Sequence, residues 1–463
     1  FSFANLFSRL DYICKEKRMT PSDKYAIQTL RRNCNAAMRD DFQPVMEEYL
    51  YDLRAIVRFV SLAFGEDVPA SLLPEIPHSN RPYSRIPYVR AAVTSWNEEL
   101  IFAATDSDDD PFIIINYAKG GYNGDLLYLQ DILQENMQLN LLDVHIDEEN
   151  QYIPNLIVVH PDYLIDISSL AACFREYGRH PLNFFINKIK PKANTSPILM
   201  GNLASQFLDD YVNESPDAPV TYNHTVKKFF ASSALEFCTC PIPPNFHEQA
   251  QAQMLNIRSF VQDVLPRNIQ GFDKHQTLLE ASFICEKLGL QGRVDMLQKD
   301  FKVLIEQKSG KRDEYNRRHK EDHFIQMMLY QGILMYNFGH ETENLQTFLL
   351  YSKYTDGLMI EHFAETLFRE SIRLRNRIVC SEMAFGEGAI APVMEELSTD
   401  LLNEFQTSSR LWTDFQEPQL QEVIQTLKHS TPLERAYFQR FFTFVSKEQI
   451  LSKTGGRNEP SNG

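Results

Sequence analysis

The chain is expected to be a mixed α/β (α+β) protein: a mixed sheet flanked by helices, an N-terminal helical region, a small β domain and a helical C-terminal tail. The expectation rests on three features. Short β-branched and aromatic runs separated by acidic or glycine turns fill residues 88–117. Apolar residues at helical spacing dominate on either side of that stretch. From 277 to 308 strand-like runs recur, and a strongly patterned helix over 321–337 follows them.

Composition sets the outer bounds. The 463 residues carry 46 Lys plus Arg against 62 Asp plus Glu, a formal charge of −16, with 43% hydrophobic and 12% aromatic residues. That is globular, not disordered, and at roughly 100–200 residues per domain it implies several domains. The longest uncharged stretch with helical patterning, Phe324 to Gly339, is interrupted by Gln326, Gln331 and Asn337. Nothing approaches the ~18 apolar residues a membrane helix needs. Seven scattered cysteines without a signal peptide point to a reducing compartment, and a cytoplasmic location is expected. The chain opens at Phe1 and not at a methionine, so a longer parent protein is expected.

An acidic total argues against nucleic-acid binding by bulk charge. Local charge differs. Lys302 to Lys320 holds seven basic residues against Glu306, Asp313 and Glu314, and four arginines between Thr366 and Arg377 face only Glu370. Either run also fits a solvated helix face, so each gains meaning only beside a site.

Four segments are expected in order. Residues 1–80 read as helix, with a start signal at Pro21-Ser22-Asp23. Residues 81–160 form the small β domain, entered through a proline-rich connector from Pro69 to Pro87, with strands at 88–96, 99–104 and 111–117. The acidic cluster Asp106 to Asp110 lacks the glycine and distal glutamate of a calcium loop and reads as a turn. Residues 161–380 mix helices (166–187, 199–213, 245–265) with strands, and Thr355-Asp356-Gly357 signals a hairpin. Residues 381–463 are a helical tail.

The stretch from Gly289 to Lys311 carries the chemistry. A two-residue turn at Lys299-Asp300 would pair Gln298 with Phe301 and Asp295 with Leu304, placing Asp295, Glu306 and Lys308 on one face of the hairpin. Two carboxylates and an amine then converge. Magnesium is held through one or two carboxylates while keeping waters, and a lysine two residues beyond the glutamate can orient water or stabilise developing charge. Acid-any-Lys alone is weak, since Asp300-Phe301-Lys302 satisfies it too. The apolar setting of Glu306 after Leu304 and Ile305 is less ordinary, and so are Gln326 and Tyr330, which share one helix face downstream.

An Asp on one strand, Glu-x-Lys on the next and a helix bearing Gln-x-x-x-Tyr resemble the PD-(D/E)XK nuclease superfamily and, within it, the RecB-type branch. Asp166 to Tyr177 and Ile198 to Asp209 are similar to its opening helices. The likeness covers about residues 88–380. Its nearest forms are the nuclease part of bacterial helicase-nuclease fusions and the eukaryotic-type flap-trimming replication helicase-nuclease. The resemblance implies a restriction-endonuclease-like sheet and an OB-like β domain. It implies a metal-dependent DNA nuclease acting on single-stranded or flapped DNA in replication or repair. Asp295 and Glu306 would bind Mg or Mn with the Gln307 carbonyl, and Lys308 would be the catalytic lysine. Gln326 and Tyr330 would support the site, and Glu280 would reach the metal through water. Arg293, Lys311, Arg312, Arg317 and Arg318 would contact DNA at its mouth. A helicase domain would lie C-terminal to this segment.

Two departures matter. Ser205 stands where many RecB-type members place a metal-binding histidine, four residues after Gly201. The flap-trimming relatives hold an iron-sulfur cluster through a cysteine near the Cys173 position and three after the Gln-x-x-x-Tyr helix; only Cys380 follows here, so no cluster is expected. No phosphate-binding loop of the Gly-x-x-x-x-Gly-Lys-Ser/Thr type occurs, so no ATP site is expected in this segment. The alternative function is a catalytically inactive DNA-binding scaffold that feeds a helicase.

Overall fold

Side-chain caps start the first two helices of the chain. Asn5 caps α1 (Leu6–Glu16), and Thr20, followed by Pro21, caps α2 (Pro21–Met38) through the Asp23 N–H; α3 (Met46–Phe64) ends at Gly65 in the left-handed conformation that glycine permits. The structure is a computed structural model describing residues 5–39, 45–81, 85–107, 110–314 and 316–455. Asp108 and Asp109 of the acidic turn, residues 82–84 of the connector and the polar end from 456 lie outside these residues. The chain forms two compact units, Phe1–His160 and Pro161–Gly463.

In the first unit the helices precede β1 (Arg85–Trp96), β2 (Leu100–Ala104), β3 (Phe112–Asn116), β4 (Gln138–Ile146), β5 (Gln151–Ile153) and β6 (Leu156–Val159). Pairing runs β1-β2-β3-β5-β4 and returns from β4 to β1, with β3 and β5 parallel. This closed cycle is an OB-like barrel, and closure leaves its five strands no free edge. Val93, Ile101, Ile115, Leu141 and Val144 are fully buried. Asp110 is the shared counter-ion of Arg31 and Arg32 on α2, at 2.5 and 3.2 Å, so this acid of the loop is neutralised by the helix.

The second unit is a mixed sheet between helical layers. After β7 (Ile165–Asp166) come α4 (Ile167–Ala171), α5 (Leu182–Ile189), α6 (Ser196–Val212), α7 (Tyr222–Ser232), α8 (Ala234–Thr239), α9 (Phe246–Ser259) and α10 (Leu265–Asn268), with a π-helical turn between the last two. Then follow β8 (Thr277–Cys285), β9 (Leu290–Gln298), β10 (Val303–Lys308), α11 (Glu321–Phe338), β11 (Gln346–Tyr351) and β12 (Leu358–Glu361). The helices α12 (Glu365–Gly386), α13 (Ile390–Glu396), α14 (Thr399–Leu402), α15 (Glu417–Lys428) and α16 (Pro432–Thr454) close the unit. The expected helix over 166–187 is broken instead. An irregular stretch separates α4 from α5, where the Arg175–Gly178 bridge forms a turn and Gly178 comes so close to the Leu402 carbonyl that no side chain would fit.

Sheet order is β12-β11-β10-β9-β7, with β8 along the other edge of β9. Core residues of α6, α7 and α9 pack on Met296, Val303, Ile305, Phe348 and Leu350 from one side. On α11, Phe324 through Leu334 are all buried, as expected of a helix that is apolar around its circumference. Tyr177, Leu182, Phe185 and Ile186 join residues of α12–α16 in a separate helical core.

The β9–β10 hairpin differs from the expected register. Leu304 faces Leu297 and Ile305 faces Met296, so the strands are shifted by two residues and the connection spans Lys299–Lys302. Phe301 leaves the strand with φ of 57° and stacks on Phe338 at 4.6 Å. A two-residue shift leaves every side chain on its face, and it brings Asp295 to the position opposite Glu306.

Candidate active site

The site occupies a notch where β9 changes partners. Near its C-terminal end β9 pairs with β10, whereas Leu290 and Gln291 pair with β7 on the same edge. Residues 292–295 therefore leave backbone groups on that edge without a ladder partner, and such groups must find others. Side chains of the site supply partners on both facing strands, β10 and β9. The Gln307 N–H donates to Asp295 Oδ2 at 2.8 Å, and the Tyr330 hydroxyl donates to the Arg293 carbonyl at 2.7 Å. Gly292 makes room, because a Cβ there would lie 2.7 Å from Tyr330 Cε1.

Glu306, 3% exposed at its side chain, points toward α11. Its Oε1 accepts from Lys308 Nζ at 2.9 Å and from Gln326 Nε2 at 2.8 Å, while Gln326 Oε1 accepts from Lys308 Nζ at 2.7 Å. Gln326 also donates to Ser168 Oγ at 3.1 Å. Lysine can only donate and a carboxylate only accept, so these partners fix the orientation of the amide.

Charge is crowded here. Burial first, and then the Glu306 carboxylate, push Asp295 up to about 8, against the pull of Lys308 and the Gln307 N–H. Burial acts to lower Lys308, but Glu306 and Asp295 outweigh it and the ammonium is held above its ordinary value. Glu280, with a left-handed backbone at φ of 49°, stands opposite Asp295 between the pairs Leu279–Met296 and Ala281–Val294, and forms an ion pair with Arg293 at 3.2 Å.

The basic candidates divide by what they touch. Lys311 pairs with Glu314 at 3.2 Å and Arg318 with Asp313 at 3.4 Å, both exposed, and Arg317 is exposed as well. Arg312 is buried: its Nη2 donates to both carboxylate oxygens of Asp356 at 3.0 and 2.9 Å, its Nη1 donates to the Asp356 carbonyl at 3.1 Å, and the guanidinium lies 4.5 Å above the Tyr354 ring. It ties the loop to the β11–β12 turn. Ser205 lies on α6 and donates to the Gly201 carbonyl at 3.2 Å.

Three nearby groups escaped the sequence reading. Ser168 lies at the start of α4. His323 sits three residues before Gln326 on α11, a spacing that could have revealed it. Its Nδ1 is 2.9 Å from the Tyr351 hydroxyl, and burial drives its ring down to about 4, so it is neutral at pH 7. Asp209, two turns beyond Gly201 on α6, is raised to about 6 by burial and then by Glu280.

The donor set fits a hard divalent cation that keeps several waters. Two carboxylates face one another, and Glu306 Oε2 is buried with no hydrogen-bond partner. It does not form an all-protein cage, since no group of three or more His, Cys, Asp or Glu arranged to hold a metal ion occurs among the described residues. Cys173 is buried with its thiol directed at the Ser169 carbonyl. Among the described residues, no helix is long and apolar enough to cross a membrane.

No family model and no curated protein matches the chain. Among solved structures, a crystal structure from Eubacterium rectale described as "Putative exonuclease" aligns over 47% of this chain and 80% of that one, at 11% identity and a TM-score of 0.29. So distant a likeness leaves the chemistry to the site itself.

Proposed function

We propose that the chain is a metal-dependent DNA nuclease that hydrolyses phosphodiester bonds, with single-stranded or flapped DNA as substrate and magnesium or manganese as cofactor. The observation that carries the reading is the convergence, in one notch, of two opposed carboxylates, Asp295 and Glu306, with a lysine locked between Glu306 and Gln326. A structural ion pair needs no second carboxylate beside it at such electrostatic cost.

Asp295, Glu306 and the Gln307 carbonyl would hold the metal, which when bound activates water and stabilises charge on the phosphate. The chain supplies the rest. Lys308 keeps its proton between two carboxylates and presents an ammonium to an attacking water or to the developing negative charge. Gln326 aims that ammonium, and Tyr330 holds β9 open at Arg293. Arg293, Lys311, Arg317 and Arg318 offer exposed cations to the DNA backbone. A helicase domain C-terminal to this segment would complete the activity in replication or repair.

A calorimetric titration with Mg²⁺ and Mn²⁺ tests the metal assignment. Binding that weakens at least tenfold in both Asp295→Asn and Glu306→Gln supports it. Binding indifferent to both changes refutes it and favours the inactive scaffold.

A further inference from the structure

Ser168 belongs to none of the roles above, yet its hydroxyl meets the amide that aims Lys308. Gln326 has two N–H groups to place. One goes to Glu306 Oε1, the other to Ser168 Oγ at 3.1 Å; the Tyr330 oxygen is farther, at 3.4 Å, and its proton is committed to the Arg293 carbonyl. Two connections hold Ser168 in place. Asp166 caps α4 through the Ser169 N–H at 3.0 Å, and β7 pairs with β9, the strand that carries Asp295. Ser168 is exposed and fills no core space.

We propose that Ser168 is a positioning residue of the site, anchoring the NH₂ end of the Gln326 amide so that its oxygen stays on Lys308. The physical need arises at Glu306. One oxygen of that carboxylate accepts from both Lys308 and Gln326 while the other has no partner, and a turn of the carboxylate that carried its free oxygen toward a cation would loosen its hold on both. The terminal torsion of glutamine is broad and roughly two-fold. With Glu306 engaged elsewhere, Lys308 still holds the amide oxygen, and Ser168 is the nearer of the two hydroxyls, with Tyr330, left to hold the NH₂ group against a swing away from the lysine. What Lys308 does with its charge rests on the nuclease reading; the hold on Gln326 rests on the hydrogen bonds alone.

The test compares the full chain with Ser168→Ala, Ser168→Thr, Gln326→Leu and the double variant Ser168→Ala/Gln326→Leu. Cleavage of a single-stranded oligonucleotide in Mg²⁺ should lose about tenfold in kcat with KM unchanged in Ser168→Ala, the size of one hydrogen bond to the site. Ser168→Thr should stay within about twofold, and the double variant should match Gln326→Leu alone, because the serine acts only through the amide. In spectra of ¹⁵N-lysine-labelled protein, the Lys308 Nζ signal, identified by its loss in Lys308→Arg, should move in Ser168→Ala and stay in Ser168→Thr. Native-like kcat in Ser168→Ala, equal losses in the alanine and threonine variants, or losses that add in the double variant would each overturn the proposal. A native chain that does not cleave refutes the nuclease reading, and the Nζ signal then decides alone: if it does not move in Ser168→Ala, the positioning role is wrong.

Discussion

Lys308 Nζ lies 2.7 Å from Gln326 Oε1, although the two residues come from a strand end and a helix separated by a loop of twelve residues, 309–320. The contact makes the helix part of the site. Gln326→Leu should lower kcat by one to two orders of magnitude, in line with the roughly 1.5–3 kcal/mol of a hydrogen bond to a charged group, while leaving KM nearly unchanged. Steady-state kinetics would show it; a change confined to KM would contradict the aiming role.

Tyr330 supplies the missing partner of a strand carbonyl. Tyr330→Phe leaves the Arg293 carbonyl without its 2.7 Å donor and should destabilise by about 1–3 kcal/mol, a lost buried hydrogen bond. Gly292→Ala should cost about 1–3 kcal/mol by overpacking against the ring. Urea denaturation would measure both.

Asp295 makes stability fall as pH rises. Its folded value of about 8 lies above the ordinary aspartate value of 3.8, so between those limits the folded state binds more protons than the unfolded one and stability falls with increasing pH. Asp295→Asn keeps an acceptor for the Gln307 N–H and removes the repulsion. Its melting temperature should exceed that of the native chain above pH 8 and approach it near pH 4. Added Mg²⁺ should raise the native melting temperature at pH 8 and not that of the variant. Parallel melting curves at every pH would contradict the crowded-carboxylate account.

Arg312 and its neighbours should behave differently. Lys311→Ala and Arg318→Ala remove exposed cations and should weaken oligonucleotide binding with little change in stability. Arg312→Ala breaks the clamp on Asp356 and should destabilise by about 1–3 kcal/mol. Anisotropy titrations of a labelled oligonucleotide alongside melting curves would separate the two classes; equal stability losses in all three would refute the division.

Much of the fold was legible because the signals were periodic. The strands at 88–117, the hairpin around Thr355-Asp356-Gly357 and the helix after 321 follow from alternation, turn chemistry and 3.6-residue spacing. The β9–β10 register was not, because Phe301 takes an unusual backbone angle to stack on Phe338, a tertiary contact that no local pattern encodes. The face shared by Asp295, Glu306 and Lys308 was still readable, since a two-residue slip preserves it. Ser168 and Asp209 lie 127 and 86 positions from Asp295, and only the sheet topology brings their helices to the site. The capture of Arg312 by Asp356 was equally invisible, because a basic residue in a basic run looks the same whether it is free or clamped.

The most direct test is cleavage of end-labelled single-stranded, double-stranded and 5′-flapped DNA by the native chain and by Lys308→Ala, with Mg²⁺, Mn²⁺ or EDTA. The account predicts metal-dependent cleavage, strongest on single-stranded or flapped substrates, that disappears in EDTA and falls at least a hundredfold in Lys308→Ala. Cleavage that survives the lysine change, or a folded native chain that binds DNA but cuts none of the three in either metal, would contradict it.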